Sequence, residues 1–405
     1  MTLIHHVQHL SDPSAPVPLL TSSHRDSWTV ARNHLLTLGN RAAFTKIEDS
    51  LFAVALDDYA HGSDSARRTK TMFCGHQGLG NGHNRWYDKS LTLVVESNGQ
   101  CGFSGEHSPV DALIASWIFD HMLQTPCSGS AHAHFVHQAE PDPAVVFEHL
   151  AFKTDSIVDR CLREAQVMAD ETARMSDSNV LVFKGYGTDW IKRTGRVSPD
   201  AFYQMVLQLT YYRLHGKVTA TYETAATRKF LRGRTETIRS CSTESKAFVE
   251  GFDQALDVKT KYELLVKATS NHRKYTQIAS DGHGCDRHLL ALRLLNADHT
   301  DEQGVKQEMH PLFTDPIFTE SQTWRLSTSG LHAGIRLMGT GFGAVYDDGY
   351  GINYMAAPTL VKFGIETKRV PETASTDEFI KTLTQVLLDM KLLCEQVNND
   401  NHSKL

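Results

Sequence analysis

Helical stripes and strand-like runs alternate along this chain, and nothing else in it limits the fold as much. Ser198-Pro199-Asp200 is a helix start with proline at the first turn, and Phe202, Met205, Val206, Leu209 and Tyr212 then recur at helical spacing. Asp155 opens a second helix, with Ile157, Val158, Cys161, Leu162, Ala165 and Met168 as its apolar stripe. Ser375-x-x-Glu378 is a capping box ahead of Phe379, Ile380, Leu383, Val386, Leu387 and Met390. Strand signals fall at 91–96, 145–152, 218–222, 324–328 and 350–355. Interleaved helices and strands without an internal repeat predict an α/β fold. The stripes face a core and are assigned no chemistry. The polar, proline-bearing stretch 138–143 is the one linker signal, and it separates 1–143 from 144–405.

At 405 residues the chain has room for one large core or two. No apolar run approaches the ~20 residues that span a bilayer. A formal charge of −6 argues against a general nucleic-acid binder, so a polyanionic ligand would need a local basic patch. The seven cysteines are scattered without a CxxC pair, which predicts reduced thiols rather than a disulfide framework. His132, His134 and His137 lie in a small-residue stretch with no cysteine or carboxylate at ligand spacing, so no metal site is expected. Gly78, Gly80 and Gly82 do not make a dinucleotide fingerprint and read as a flexible turn.

The residue most suggestive of chemistry is His107, in Gly105-Glu106-His107-Ser108-Pro109. It comes after a strand-like run and a turn at Asn98-Gly99, as a general base on a rigid backbone would. The plainer alternative is one more surface histidine among 22. Further motifs accompany it: Thr21-Ser22 with Arg25 and Trp28; Asn84-Arg85-Trp86-Tyr87-Asp88-Lys89; Ala220-Thr221-Tyr222-Glu223-Thr224; Gly233 to Ser240; Cys285-Asp286-Arg287-His288-Leu289-Leu290; Leu326-Ser327-Thr328-Ser329; and Asp348-Gly349-Tyr350-Gly351. Together these resemble the carnitine/choline acyltransferase family over almost the whole chain.

That resemblance implies two related α/β domains, each a mixed sheet flanked by helices in the manner of chloramphenicol acetyltransferase, with an active-site tunnel between them. It implies that His107 acts directly as general base, without an acyl-enzyme, and that Ser329 donates to the oxyanion. Acyl transfer from a thioester to a hydroxyl needs both roles. Without the other motifs, Ser327-Thr328-Ser329 would read as a polar strand edge or turn. By the same resemblance Tyr222, Thr224, Thr235 and Arg287 bind carnitine, with Thr224 standing where the family uses serine. Phe342 faces the trimethylammonium group, where a cation–π contact makes sense. Choline-using relatives lack the threonine and arginine, so carnitine is the expected acceptor. An ion pair with Asp286 or Glu223 is the alternative use of Arg287.

Coenzyme A enters as substrate and no cofactor is expected. Lys192, Arg193, Asp200 and Arg273 match coenzyme-binding positions, although Thr188 stands near the place of a family lysine and the spacing to Ser198 is one residue longer. Thr340 and Gly341 fall at the acyl pocket. Short-chain relatives carry methionine at the first of these and long-chain relatives glycine, so Thr340 favours acetyl or short acyl groups. The other readings are a medium- or long-chain enzyme, or a silent coenzyme A-binding or interaction protein. The family's long N-terminal region has no counterpart here, so the first domain is expected to be incomplete. Ser403-Lys404-Leu405 matches the tripeptide read by the peroxisomal import receptor, with the cytoplasm as a second location.

Overall fold

The computed structural model describes residues 15–75, 82–124, 148–298, 308–331 and 335–402. The chain divides into two compact units, Met1–Arg174 and Met175–Leu405. The division therefore falls later than the expected 143. Its physical cause is helix α5 (Ser156–Met175), which buries Val158, Leu162 and Ala165 with Val17, Leu20, Trp28, Leu35 and Phe44. The stretch 138–143, the three histidines 132, 134 and 137, Gly78 and Gly80, and Ser403-Lys404-Leu405 lie outside the described residues.

The first unit carries α1 (Arg25–Thr37), α2 (Arg41–Asp49), β1 (Ala53–Leu56), α3 (Ser65–Cys74), β2 (Leu91–Val95), β3 (Cys101–Gly105), α4 (Ala112–Gln124) and α5. Its three strands form a mixed sheet, with β1 parallel and β3 antiparallel to β2. Gly99, at φ +82°, supplies the left-handed turn between β2 and β3. The strand expected at 145–152 is absent at 148–152, and 145–147 are outside the described residues. Phe152 instead packs edge-on to Phe44 and stacks on Trp86, so core packing claims the apolar residue that alternation assigned to a sheet.

The 84–89 motif proves to be scaffold. Arg85 and Asp57 form a buried bidentate pair at 3.0 and 2.8 Å. Asn84 and Tyr59 also donate to Asp57, at 2.9 and 2.5 Å. Asp88 accepts from Arg25 and from the Trp28 indole, both at 2.5 Å. The Tyr87 backbone N–H donates to the Thr21 hydroxyl at 2.9 Å. Lys89 donates to the carbonyls of Ile47 and Ser50, which close α2. These bonds fix the loop that leads into β2.

The second unit contains β4 (Ser176–Phe183), α6 (Pro199–His215), β5 (Thr221–Ala226), β6 (Thr235–Arg239), α7 (Thr243–Phe252), α8 (Val258–Ser280), α9 (Asp286–Asp298), β7 (Leu326–Leu331), β8 (Tyr350–Ala356), β9 (Val361–Lys368) and α10 (Thr376–His402). The six strands run β4-β9-β8-β7-β5-β6, parallel at β5/β7 and β7/β8 and antiparallel elsewhere. Both units are thus α/β with mixed sheets. One continuous core joins α6, α7, α8 and α10 to one face of this sheet through Phe202, Phe248, Leu265, Leu383, Ile352 and Phe363.

Helix α6 departs from its expected single stripe, because every residue from Ala201 to Tyr211 is buried. Its two glutamine amides are paired: Gln204 donates to Thr328 and Gln208 to Thr221, each at 2.9 Å. The capping box at 375–378 is present in both directions. Ser198 is the N-cap residue of α6, yet its side chain makes no capping bond.

Candidate active site

In the first unit, β3 delivers Gly105 and the chain turns through Glu106-His107-Ser108. Glu106 stiffens this turn by accepting from the Ser108 backbone N–H at 2.9 Å and its hydroxyl at 2.7 Å. His107 is exposed, with Nδ1 3.0 Å from the Val110 carbonyl and 3.8 Å from Asp111. A carbonyl can only accept, so Nδ1 carries a proton, and in the neutral imidazole the lone pair is then on Nε2. That is the tautomer a general base needs. His107 also borders a cavity of about 250 Å³, together with Arg85, Tyr87, Lys89, Thr92 and Glu106.

In the second unit, the predicted acceptor-binding residues come together. Side chains alternate along β5 and β6, so Tyr222 and Thr224 share a face with Thr235, Thr237 and Arg239 through the register Thr224↔Thr237 and Tyr222↔Arg239. The pairing Tyr222↔Ser327 continues that face onto β7, where Ser329 is the next residue on the same side. Arg287, in the first turn of α9, reaches this face. Its guanidinium donates to the Tyr222 hydroxyl at 3.0 Å and to the hydroxyls of Thr235 and Thr237 at 3.3 Å each. It also lies 5.7 Å from the centroid of the Tyr222 ring. The Thr224 hydroxyl donates to that of Tyr222 at 3.3 Å.

The ion-pair alternative for Arg287 fails, because both candidate acids are engaged elsewhere. Asp286 is held by Arg239 at 2.6 and 3.0 Å, and Glu223 by His272 at 2.6 Å. Among the described residues, no carboxylate lies within ion-pair range of the Arg287 guanidinium. Of the Ser327-Thr328-Ser329 hydroxyls, that of Thr328 points into the core, donating to the Tyr222 carbonyl at 2.8 Å. Ser329 stays half-buried on the acceptor face.

The segment holding Thr340, Gly341 and Phe342 runs over that same face. A Cβ on Gly364 would stand 1.5 Å from the Thr340 carbonyl oxygen, and one on Gly351 2.5 Å from that of Phe342. Glycine at 351 and 364 is what lets this segment lie against β8 and β9. Gly351 pairs with Ser327, which pairs with Tyr222, so Phe342 crosses the sheet two strands from the tyrosine, about 10 Å away by strand spacing.

The coenzyme A set does not converge in the same way. Lys192 and Arg193 are exposed on the π-turn Ile191–Gly195, and Arg273 is exposed on α8. Among the described residues, no hydrogen bond or ion pair joins them. Asp200 lies apart from these three, at the first turn of α6. Its carboxyl lies 2.5 Å from the Tyr354 hydroxyl, which also lies 2.9 Å from Glu223. One phenolic proton cannot serve both acids, so protonated Asp200 donating to Tyr354 and Tyr354 donating to Glu223 satisfies all three. Burial first, and the charge of Glu223 second, push the Asp200 carboxyl up to about 7. Burial alone would lower His272, but Glu223 outweighs it and the imidazole is raised.

Sequence reasoning missed this cluster and also Glu236, which accepts from the Arg287 backbone N–H at 3.3 Å. Its side chain passes so close to Gly284 that a Cβ there would meet it at 2.3 Å. A signal existed for both glutamates: each is a charged residue between two hydroxyl residues of an alternating strand, hence on its inner face. His272 offered none, since nothing local marks a histidine on the buried side of a long helix.

The family model described as Choline/Carnitine o-acyltransferase matches residues 2–385. Human carnitine O-palmitoyltransferase 1, muscle isoform, is 33% identical over 94% of this chain and 51% of its own length. Rat carnitine O-acetyltransferase is 33% identical over 95% of this chain and 60% of its own. Zebrafish (Danio rerio) choline O-acetyltransferase gives the same identity, 33%, and the same coverage, 95% and 60%. The chain thus spans between half and two thirds of the length of these relatives.

Proposed function

Since the chain belongs to the choline/carnitine O-acyltransferase family, we propose that it reversibly transfers an acetyl or other short acyl group between coenzyme A and carnitine. The observation that supports carnitine is Arg287, a cation ringed by the hydroxyls of Tyr222, Thr235 and Thr237 and lacking a carboxylate partner among the described residues. A ligand carboxylate supplies the missing charge, and the hydroxyls supply donors for its second oxygen. Choline has no such group to offer.

In this reading, Nε2 of His107 removes the carnitine hydroxyl proton as the alkoxide oxygen attacks the thioester carbonyl. The tetrahedral oxyanion accepts a hydrogen bond from Ser329. Collapse breaks the carbon–sulfur bond, and the departing thiolate takes the proton from the imidazolium. The histidine ends as it began, so the reaction runs in both directions. Phe342 faces the trimethylammonium group, and Lys192, Arg193 and Arg273 supply positive charge for the coenzyme phosphates.

The short-chain preference rests on Thr340. Relatives named for palmitoyl and for acetyl transfer are equally similar to this chain, so identity does not decide between them. Thr340 belongs to a backbone pressed onto Gly364 and has little room to withdraw. Thiol release from acetyl-, octanoyl- and palmitoyl-coenzyme A, each with carnitine and with choline, tests the proposal. Fastest turnover is expected with acetyl-coenzyme A and carnitine, and Thr340→Gly should extend it to longer chains. A parent fastest on palmitoyl overturns the chain length, a preference for choline overturns the acceptor, and no turnover with any pair overturns the reaction.

A further inference from the structure

Glu223 lies on β5 between Tyr222 and Thr224, and alternation turns its side chain to the opposite face of the sheet. There one buried carboxylate ties together the elements that carry the acceptor face. Oε2 accepts from His272 Nε2 at 2.6 Å and from the Ser240 hydroxyl at 3.1 Å. Oε1 accepts from the Tyr354 hydroxyl at 2.9 Å. His272 belongs to α8, Tyr354 to β8, and Ser240 directly follows β6, the strand of Thr235 and Thr237. Asp200 extends the set to the first turn of α6.

The geometry has a mechanical consequence. Any slide or roll of β5 that shifts Tyr222 or Thr224 must pull Glu223 out of a cage built by three other elements. The same cage holds the end of β6, since the Ser240 backbone N–H also reaches the Thr221 carbonyl at 3.4 Å. A buried carboxylate resists such displacement because every lost hydrogen bond leaves an unsolvated charge. Packing alone would not demand an acid here, since an apolar residue fills space without partners.

We propose that Glu223 and His272 are positioning residues for the acceptor subsite, a buried ion pair that sets the Tyr222 and Thr224 hydroxyls around Arg287 from behind the sheet. The inference rests on the proposed carnitine chemistry but names residues that do not touch the substrate. It separates from a merely structural role by the parameter affected, because the pair backs the carboxylate-binding hydroxyls, whereas Lys192 and Arg193 lie on the separate turn Ile191–Gly195.

The test uses steady-state kinetics of the full chain with Glu223→Gln, His272→Gln, the two together, and the milder Tyr354→Phe and Ser240→Ala. Glu223→Gln keeps the shape but leaves His272 without its charge partner. It should raise the carnitine KM about tenfold, with the acetyl-coenzyme A KM changed less than about twofold. The double variant restores a neutral hydrogen-bonding pair and should recover part of that loss. Tyr354→Phe and Ser240→Ala should each raise the carnitine KM by about threefold. Equal increases in both KM values, or additive single effects without recovery, overturn the proposal. Should Glu223→Gln fail to fold, an unchanged carnitine KM in both mild variants does the same. An inactive parent defeats the proposed function itself, a result distinct from an active parent with indifferent variants.

Discussion

Each unit buries a carboxyl cluster, and the two balance it in opposite ways. In the first unit Asp57 meets a guanidinium, an amide and a phenol, so the donors suffice for one carboxylate. Burial alone would raise its pKa, yet the hydrogen bonds of Arg85 and Tyr59 and the charge of Arg85 outweigh it, and the net shift is downward. In the second unit two acids, Asp200 and Glu223, share one phenol, one imidazole and one serine hydroxyl. Burial first and the charge of Glu223 second raise Asp200, and with donors scarce nothing outweighs them, so the cluster keeps a proton. Burial pushes both carboxyls upward, and the supply of donors and cations decides whether that push is outweighed.

The harshest way to break this comparison is Arg85→Met. It strands Asp57 in a dry site, and losing one member of a buried pair costs about 3–5 kcal/mol. Denaturant unfolding should show that loss in the first unit, with the Asp57 carboxyl shifted upward. Adding Asp57→Leu should recover only part of the stability, because Arg85 also donates to the Thr71 carbonyl at 3.1 Å and the Asn84 carbonyl at 2.8 Å. A single variant as stable as the parent would mean that the fixed charge carries no structural weight.

Ser329→Ala moves the contrast to chemistry. In the proposed reaction His107 of the first unit is the base and Ser329 of the second is the oxyanion donor. Turnover should fall by about a hundredfold or more, with both KM values nearly constant. Unchanged turnover with weaker carnitine binding would reassign this serine to the acceptor. Arg287→Asn should act the other way round: carnitine KM rises by about ten- to a hundredfold, acetyl-coenzyme A KM holds, and relative use of choline grows. Parallel assays on the two acceptors decide it, and an equal loss on both makes Arg287 a structural residue.

These residues were readable in the sequence for unequal reasons. Tyr222, Thr235 and Arg287 sit in long motifs of rare residues, and the β5/β6 register with the first turn of α9 brings them together. Helix caps at 375–378 and apolar stripes were legible because they are local. Strands β1, β3, β4, β6 and β9 escaped, since short runs such as Thr235–Arg239 are too polar for periodicity to mark. The partition of α6 escaped as well, because its glutamines are buried by tertiary pairing that no spacing records. The contacts of Asp200 escaped for the same reason: an acid in a helix's first turn looks solvent-facing until Tyr354 and Glu223 arrive from distant strands.

The gentlest test leaves every side chain but one in place and moves only protons. A group whose pKa is raised on folding binds more protons in the native state, so its stabilisation is present at low pH and fades as pH climbs to the folded value. For Asp200 that window runs from the ordinary 3.8 up to about 7, and for His272 it lies above 6.5. Asp57 has the opposite sign: its contribution is full above 3.8 and is lost on further acidification. Stability of the parent relative to Asp200→Asn, which cannot titrate, should therefore decline steadily between about pH 4 and pH 7. Thermal unfolding of both proteins across that range measures the difference directly. Parallel curves, or a parent that gains on the variant as pH rises, would mean that Asp200 is ionised in the folded chain, and the scarcity of donors would no longer distinguish the second unit from the first.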